Sequence, residues 1–172
     1  MENKRKVIIK NSVSADGIGI PVISLYFSYC DKKDITGSFC CNCHNKELQN
    51  DEYGYELDLK TIFKILKEKI QNMESLINNK VGIAFLGGEP LAEINRDFFI
   101  KISEEFKNTY QVLYTWRHLE NINEFWIKNV DKIVCGEYIE NLKNEKYILG
   151  STNQYIINSK KEIILKYERN DT

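Results

Sequence analysis

The sequence predicts an α/β domain in which short buried strands alternate with helices around a mainly parallel sheet. Apolar residues within 59–77 and 96–108 recur at the spacing of one buried helical face. Short apolar runs lie between these helices, which is the pattern of βαβ units. Only about three such units fit, whereas a complete eightfold barrel needs roughly 250 residues. We therefore expect a partial, open parallel β/α barrel with a C-terminal tail of short strands.

The first half of the chain is organised around one long amphipathic helix. Asp58 is a typical N-cap residue, and Asn78 to Lys80 end the apolar repeat that follows it. The two glycines of the segment from Ala15 to Gly19 indicate a tight loop. The predicted elements are a strand at Val7–Ile9, a buried strand at Ile20–Phe27, a polar connection at Lys46–Tyr55, a helix at Leu59–Ile77 and a buried strand at Val81–Leu86.

The second half begins with the same alternation and then changes pattern. After Cys135 and Gly136, three short strands follow with no helices predicted between them. The predicted elements are helices at Arg96–Asn108 and Leu119–Asn129, strands at Gln111–Tyr114 and Lys132–Val134, and the three tail strands at Tyr147–Leu149, Tyr155–Ile157 and Ile163–Tyr167.

Length and charge limit the classes of function. A chain of 172 residues is suited to one domain, which we place at 1–172. The 24 basic and 25 acidic residues nearly cancel, so we expect neither a nucleic acid nor a membrane as partner. The basic N-terminus lacks the long apolar core of a secretory signal. These features favour a cytoplasmic location.

Four of the five cysteines lie within fourteen residues, at Cys30, Cys40, Cys41 and Cys43. An odd total of five cysteines, four of them clustered, argues against a disulfide scaffold and favours metal ligands or redox groups in a reducing compartment. The cluster follows the predicted strand at Ile20–Phe27. Ligand chemistry in open α/β sheets and barrels lies at this carboxyl end of the strands.

The cysteine spacing is compatible with two kinds of metal site. Three thiolates can hold a [4Fe–4S] cluster that keeps one iron open, since four cysteines are the usual complement. Cys41 is an alternative ligand to Cys40, although it cannot easily point the same way as both members of the C-x-x-C pair. A structural zinc site with Cys30, Cys40, Cys43 and His44 is the other interpretation. Spacing alone leaves both open.

The segment from Gly87 to Pro90 is the second signal. Two glycines directly after a predicted buried strand allow the backbone to touch a ligand, with a carboxylate beside them and a proline that stiffens the exit. Alone, this Gly-Gly-Glu-Pro segment is typical of a plain turn before a helix. Together with a C-x-x-C loop after an earlier strand, it favours the iron–sulfur interpretation.

These motifs together resemble the radical S-adenosylmethionine (SAM) superfamily. More narrowly, the chain resembles the activating proteins of the anaerobic, class III ribonucleotide reductase. The first motifs are shared by many superfamily members, whereas the two late segments favour the reductase-activating branch. The segments that carry the resemblance are Asp16–Ile20, Cys40–Asn45, Phe85–Leu91, Lys132–Ile139 and Gly150–Ile157.

The sequence departs from this family in two places. The family's C-x-x-x-C-x-x-C has become C-x₉-C-x-x-C, an insertion of six residues between Cys30 and Cys40. Pro21 stands where the family has an arginine. Both departures concern the surroundings of the substrate more than the cofactor.

The resemblance implies a fold, a cofactor and a partner. The fold is the partial barrel of the radical SAM type. Cys30, Cys40 and Cys43 hold a [4Fe–4S] cluster whose fourth iron binds the amino and carboxylate groups of SAM. An electron donor such as flavodoxin drives SAM cleavage to a 5′-deoxyadenosyl radical, which generates a glycyl radical on the reductase. The methionine amino group is received by the segment of Gly87, Gly88, Glu89 and Pro90.

Two alternatives remain at this stage. A radical SAM enzyme of this size could act on a peptide or a small molecule, as 7-carboxy-7-deazaguanine synthase does. The chain could also be a non-enzymatic zinc-binding module. Further candidate site residues are Asn42, His44, Asn153 and Gln154, of which the last two suit either a partner site or a turn. Cys135, Trp116 and Trp126 are predicted to serve packing.

Overall fold

The computed structural model describes residues 3–143 and 149–167, which form a mixed α/β fold around an eight-stranded sheet that does not close. The strand order is β3-β1-β2-β4-β5-β6-β7-β8. The strands are β1 (Lys4–Ser14), β2 (Val22–Phe27), β3 (Tyr55–Asp58), β4 (Gly82–Gly87), β5 (Gln111–Thr115), β6 (Lys132–Cys135), β7 (Tyr155–Ile157) and β8 (Ile163–Lys166). The helices are α1 (Lys32–Thr36), α2 (Leu59–Ile77), α3 (Glu93–Glu105) and α4 (Glu124–Ile127), with 3₁₀ turns at Lys46–Leu48, Leu119–Asn121 and Glu140–Leu142.

Parallel pairing is confined to the centre of the sheet. Strands β2, β4, β5 and β6 pair in parallel, whereas β1 and β3 on one side and β7 and β8 on the other pair antiparallel. The expectation of a mainly parallel sheet therefore holds only for the four central strands. The short connections β1–β2 and β7–β8 join antiparallel neighbours, because a parallel crossover needs a dozen or more residues.

Helix α2 begins and ends where the sequence predicts. The Asp58 carboxylate accepts a hydrogen bond from the Thr61 backbone N–H at 2.7 Å, which caps the first turn. Asn78 follows the last residue with a left-handed φ of 49°. Ile62, Leu66 and Ile70 are buried on one face, so the helix is held by its apolar stripe.

Other boundaries differ from the prediction. Helix α3 begins at Glu93 rather than Arg96 and ends before Asn108. In place of one helix at Leu119–Asn129 there is a 3₁₀ turn followed by the four-residue α4, because the Asn123 side chain accepts a hydrogen bond from the Phe125 N–H at 2.9 Å and starts a new helix.

Two elements lie where the sequence predicted only loop. Strand β3 begins at Tyr55, where the predicted polar connection ends, and α1 lies inside the cysteine loop. Strand β1 is longer than the predicted Val7–Ile9, and β8 ends one residue before Tyr167. The tail strand predicted at Tyr147–Leu149 lies mostly outside the described residues. No helix in the described parts of the chain is both long and apolar enough to cross a membrane.

The sheet has two different faces. On β2 and β5, Leu25 and Leu113 point into the main core, which α2 and α3 cover. Side chains alternate along a strand, so Tyr26 and Tyr114 lie on the opposite face. That face has a smaller apolar cluster at Val112, Val134, Leu149 and Ile156. The candidate site opens on this second face, at the carboxyl ends of the parallel strands.

Candidate cluster and cofactor site

A cavity of about 370 Å³ lies where β2, β4, β5 and β6 end. Its volume falls within the range of roughly 300–1,000 Å³ that is usual for small-molecule sites. The lining includes residues of the cysteine loop, the Gly-Gly segment and β5, among them Cys40, Cys43, Gly87, Gly88, Tyr114 and Trp116. Larger grooves of about 820 and 970 Å³ exist elsewhere, but no cysteine lines either of them. The two predicted motifs therefore meet in one cavity, because parallel strands bring their carboxyl ends to the same edge.

The three predicted cysteine ligands lie at successive points of one loop. Cys30 follows β2 with 8% of its surface exposed, and its N–H donates to the Gln49 carbonyl at 3.1 Å. Cys40 and Cys43 are half-buried, and the Cys43 N–H donates to the Cys40 carbonyl at 3.3 Å. This bond closes the C-x-x-C segment into a tight turn. Neither the buried Cys30 nor the exposed Cys41 is among the residues that line the cavity.

Burial governs the ionisation of Cys30 and Cys40. It raises the pKa of Cys30 to about 12, with smaller contributions from the charges of Glu89, Asp31 and Cys40. Burial also raises the pKa of Cys40, whereas Lys32 and the backbone of Tyr138 act in the opposite direction. Without metal, both groups are therefore neutral thiols at neutral pH. A bound cation would favour the thiolate, which is the form that ligates iron.

The donor set fits an iron–sulfur cluster. Among residues 3–143 and 149–167, no three His, Cys, Asp or Glu side chains converge as ligands of one metal ion. In a [4Fe–4S] cluster each cysteine binds a different iron, so the sulfurs need not meet at a single point. The charge of Cys40 contributes to the raised pKa of Cys30, and the charge of Cys43 contributes to the raised pKa of Cys40, so successive thiols of the loop lie close enough to interact.

His44 and Asn45 line the cavity, whereas Asn42 is exposed outside it. The exposed His44 ring lies 4.3 Å from the Tyr138 ring, at the cavity wall. Asn42 is exposed with a positive φ of 52°, which suits the turn. Asn45 lies in the segment that carries the resemblance but was not a candidate site residue, and it donates from Nδ2 to the Gly87 carbonyl at 3.4 Å. It therefore connects the cysteine loop to the Gly-Gly segment.

The glycines of the second motif are required by close backbone packing. A Cβ on Gly87, whose φ is +119°, would lie 2.2 Å from the Phe27 carbonyl oxygen. A Cβ on Gly88 would lie 2.2 Å from the Tyr29 carbonyl oxygen. The expectation that these two residues are glycines so that the backbone can contact a ligand is therefore incomplete. Both residues line the cavity, but their missing side chains are explained by the adjacent end of β2.

Glu89 faces the protein interior and not the cavity. Its side chain is fully buried, and its oxygens accept from the Leu91 N–H at 2.9 Å, the Thr115 hydroxyl at 2.9 Å and the Trp116 N–H at 3.2 Å. Burial raises its pKa to about 7, against the opposing charge of Arg117, whose Nη1 lies 3.4 Å away. The side chain is therefore absent from the cavity lining, and its expected role in receiving an amino group stays a prediction. The buried Pro90 is likewise absent from the lining.

Asn95 was missed by sequence analysis and joins the ends of β2 and β4. It is fully buried, and its Nδ2 donates to the Ser28 carbonyl at 2.8 Å and to the Glu89 carbonyl at 2.9 Å. Its side-chain oxygen accepts from Arg5, which also pairs with Asp51. This network holds the Gly-Gly-Glu-Pro loop against the start of the cysteine loop.

The late candidates brace the connection after β6. Gln154 donates from Nε2 to the Gly136 carbonyl at 2.9 Å, and Asn153 donates from Nδ2 to the Glu137 carbonyl at 2.8 Å. Gln154 also lines the cavity. The turn role is therefore visible for both, and a role in partner binding stays a prediction.

Residues that follow β5 form an unpredicted part of the site. Trp116, which was interpreted as packing, lines the cavity, and its Nε1 donates to Asp31 at 3.3 Å. Arg117 pairs with the same Asp31 and lies against the Trp116 ring, 4.8 Å from its centroid. The position directly after a parallel strand was a signal for these residues, as it was for the cysteines.

The family described as a 4Fe-4S single cluster domain matches residues 15–157. That range contains the three predicted cysteine ligands, the Gly-Gly-Glu-Pro loop and Gln154. No curated protein matches the chain. The match covers most of the chain, so the protein belongs to the family of 4Fe-4S single cluster domains.

Proposed function

We propose that this protein is a radical SAM activase with the partial-barrel fold of that superfamily. It holds its [4Fe–4S] cluster through Cys30, Cys40 and Cys43 and binds SAM beside Gly87 and Gly88. It takes one electron from a donor such as flavodoxin and generates a glycyl radical on an anaerobic ribonucleotide reductase. The membership of a 4Fe-4S family and the resemblance of the late segments support this proposal.

One observation carries the proposal. Cys40 and Cys43 line the same cavity as Gly87 and Gly88, although the two pairs lie more than forty residues apart in the sequence. A cofactor in that cavity can therefore touch the metal ligands and the Gly-Gly backbone at once. This is the arrangement that a SAM molecule bound to an open iron requires.

The chain's own residues bind the cofactors, orient them and enclose them. The thiols of Cys30, Cys40 and Cys43 lose their protons on binding iron. The Gly87 and Gly88 backbone offers carbonyl acceptors to the N–H groups of the SAM amino group. The rings of Tyr26, Tyr114 and Trp116 help to bound the cavity. When bound, the cluster supplies the electron that cleaves SAM, and the protein provides position and exclusion of water.

The cysteines provide a matched test of this site. We expect Cys40→Ala to lose most of the iron and sulfide bound after anaerobic reconstitution, because one of three ligands is gone. Cys41→Ala should retain both, since Cys41 is exposed and is not one of the three proposed ligands. Metal analysis and absorbance of the two variants measure this. Equal loss in both variants, or zinc in place of iron in the wild type, would contradict the proposal.

The partner is tested with the reconstituted wild type. Protein, SAM, reductant and the anaerobic reductase should together produce a glycyl radical signal in electron paramagnetic resonance. Cys40→Ala should not produce it. If 5′-deoxyadenosine forms but no glycyl signal develops, the site cleaves SAM and acts on a peptide or a small molecule instead.

A further inference from the structure

The inserted segment between Cys30 and Cys40 contains a helix whose position hydrophobic packing cannot stabilise. Helix α1 has five residues, far fewer than an isolated helix needs for stability in water. Its only buried residue is Lys32, and Ile35 is 61% exposed. Polar contacts to other parts of the protein must therefore fix its position.

The first of these contacts joins the start of the insertion to the end of β5. The Asp31 carboxylate pairs with Arg117 and accepts a hydrogen bond from the Trp116 indole N–H at 3.3 Å. The Asp31 and Arg117 side chains are only 13% and 8% exposed, so solvent screens this ion pair weakly. Asp31 is the immediate neighbour of Cys30.

The second contact joins the insertion to the segment after β6. The Lys32 ammonium lies 2.8 Å from the Glu137 carboxylate, with side-chain exposures of 6% and 37%. It also donates to the Ser38 carbonyl at 3.2 Å, two residues before Cys40. The buried Lys32 ammonium therefore contacts both Glu137, in the segment after β6, and Ser38, near the end of the insertion.

The backbone at the start of the insertion also needs support. Tyr29 has a φ of +78°, which is costly for a bulky residue. Its N–H donates to the Leu48 carbonyl and its own carbonyl accepts from the Glu89 N–H, both at 2.8 Å. Its hydroxyl donates to Asp34 of α1 at 2.6 Å. This strained residue directly precedes Cys30, so contacts that order the insertion also help to hold Cys30.

We propose that the ion pairs Asp31–Arg117 and Lys32–Glu137 form an electrostatic latch that sets the placement of Cys30 relative to Cys40. Arg117 and Glu137 are then positioning residues, because they act on the ligands only through Asp31 and Lys32. The latch compensates for the long C-x₉-C spacing, because it fixes the inserted segment that joins the two ligands. This inference rests on the proposed ligation by the two cysteines.

Hydrogen exchange of the metal-free protein tests the latch without any cluster. In Glu137→Gln we expect the amides of residues 31–39 to exchange about tenfold faster, because the buried Lys32 loses its charge partner. Asp31→Asn should act similarly at the other anchor, while Arg117 keeps Glu89 as a partner. The amides of α2 should be unchanged in both variants.

Glu105→Gln is the matched control. It also removes an acid from an ion pair, Lys67–Glu105, but those side chains are 54% and 36% exposed. Exposed pairs contribute little, so exchange in residues 31–39 should stay at the wild-type rate. Wild-type rates in both latch variants, or equal acceleration in the control, would overturn the proposal.

A second measurement separates this inference from the proposed function. After reconstitution, the latch variants should lose iron to a chelator about tenfold faster than the wild type and the control. If the wild type itself binds no cluster, the proposed function fails. If the wild type binds one that needs Cys30, but Glu137→Gln releases iron at the wild-type rate, the latch is wrong and the cluster assignment stands.

Discussion

Helices α2 and α1 are held in place by opposite kinds of interaction. In α2, Ile62, Leu66 and Ile70 are buried against the sheet, and Asp58 caps the first turn. In α1, the single buried residue is the charged Lys32. Apolar burial depends on a periodic pattern within one segment, whereas an ion pair depends on which distant residue it meets. The comparison explains why α2 was predicted to the residue and α1 was not.

The largest expected difference comes from deleting apolar side chains in the two helices. Leu66→Ala should reduce the free energy of unfolding by about 2–5 kcal/mol, because it leaves a cavity in a fully buried site. Ile35→Ala should change it by less than about 0.5 kcal/mol, since Ile35 is 61% exposed. Urea unfolding of both variants measures the two values. A comparable loss for Ile35→Ala would show that α1 is held by apolar packing after all.

A smaller difference is expected between two glycines with positive φ. Gly37 ends α1 with φ +86° and has no atom within 4 Å of an added Cβ, so Gly37→Ala should cost only the backbone penalty of about 1–2 kcal/mol. Gly87→Ala adds a 2.2 Å clash with the Phe27 carbonyl and should cost more.

Urea midpoints of the two glycine variants measure which substitution destabilises the protein more. Gly87→Ala should also take up less iron than Gly37→Ala, because the Gly87 clash displaces the wall of the cavity and Gly37 lies outside the lining. Equal midpoints would mean that the end of β4 can move away from β2 at no cost.

A further difference is expected in pH dependence between two carboxylates. Burial raises the pKa of Glu89 from 4.5 to about 7, so the folded state binds its proton more tightly than the unfolded state. Its contribution to stability is therefore present below pH 4.5 and is lost as the pH rises towards 7. A hydrogen bond from Thr61 lowers the pKa of Asp58 below its ordinary 3.8, so its contribution is lost only as the pH falls through that lowered value.

Replacing Glu89 tests the predicted direction in which stability changes with pH. In the metal-free protein, Glu89→Gln should flatten the fall in melting temperature between pH 4.5 and 7, because the titrating group is gone. Asp58→Asn should leave that interval unchanged, since Asp58 is ionised throughout it in both states. A steeper fall in Glu89→Gln would mean that Glu89 is ionised in the folded protein and stabilised by Arg117.

The site could be predicted in part for the same reason as the fold. Cys40, Cys43, Gly87 and Gly88 were found because each lies in a short motif after a predicted strand, and the structure places all four on one cavity. Glu89 was assigned to the same motif, but its carboxylate turns inward to Thr115 and Arg117. A motif locates a residue along the chain and does not state which way its side chain points.

The residues that sequence analysis missed act across long sequence separations. Asp31 and Arg117 are 86 residues apart, and Arg5 and Asn95 are 90 apart. Nothing near Arg117 distinguishes it from a surface arginine, because its burial depends on where the cysteine loop is placed. The same holds for Trp116, which faces a cavity that exists only after four strands have paired.

By itself, the sequence determined the alternation of strands and helices, the length and cap of α2, and the position of two motifs at strand ends. These features depend on periodicity, capping and turn chemistry within a few neighbouring residues. Only the tertiary structure decided the antiparallel edges of the sheet, the inward orientation of Glu89 and the ion pairs that hold the inserted cysteine loop. Those depend on which strand ends meet, and a buried charge has a partner only after they have met.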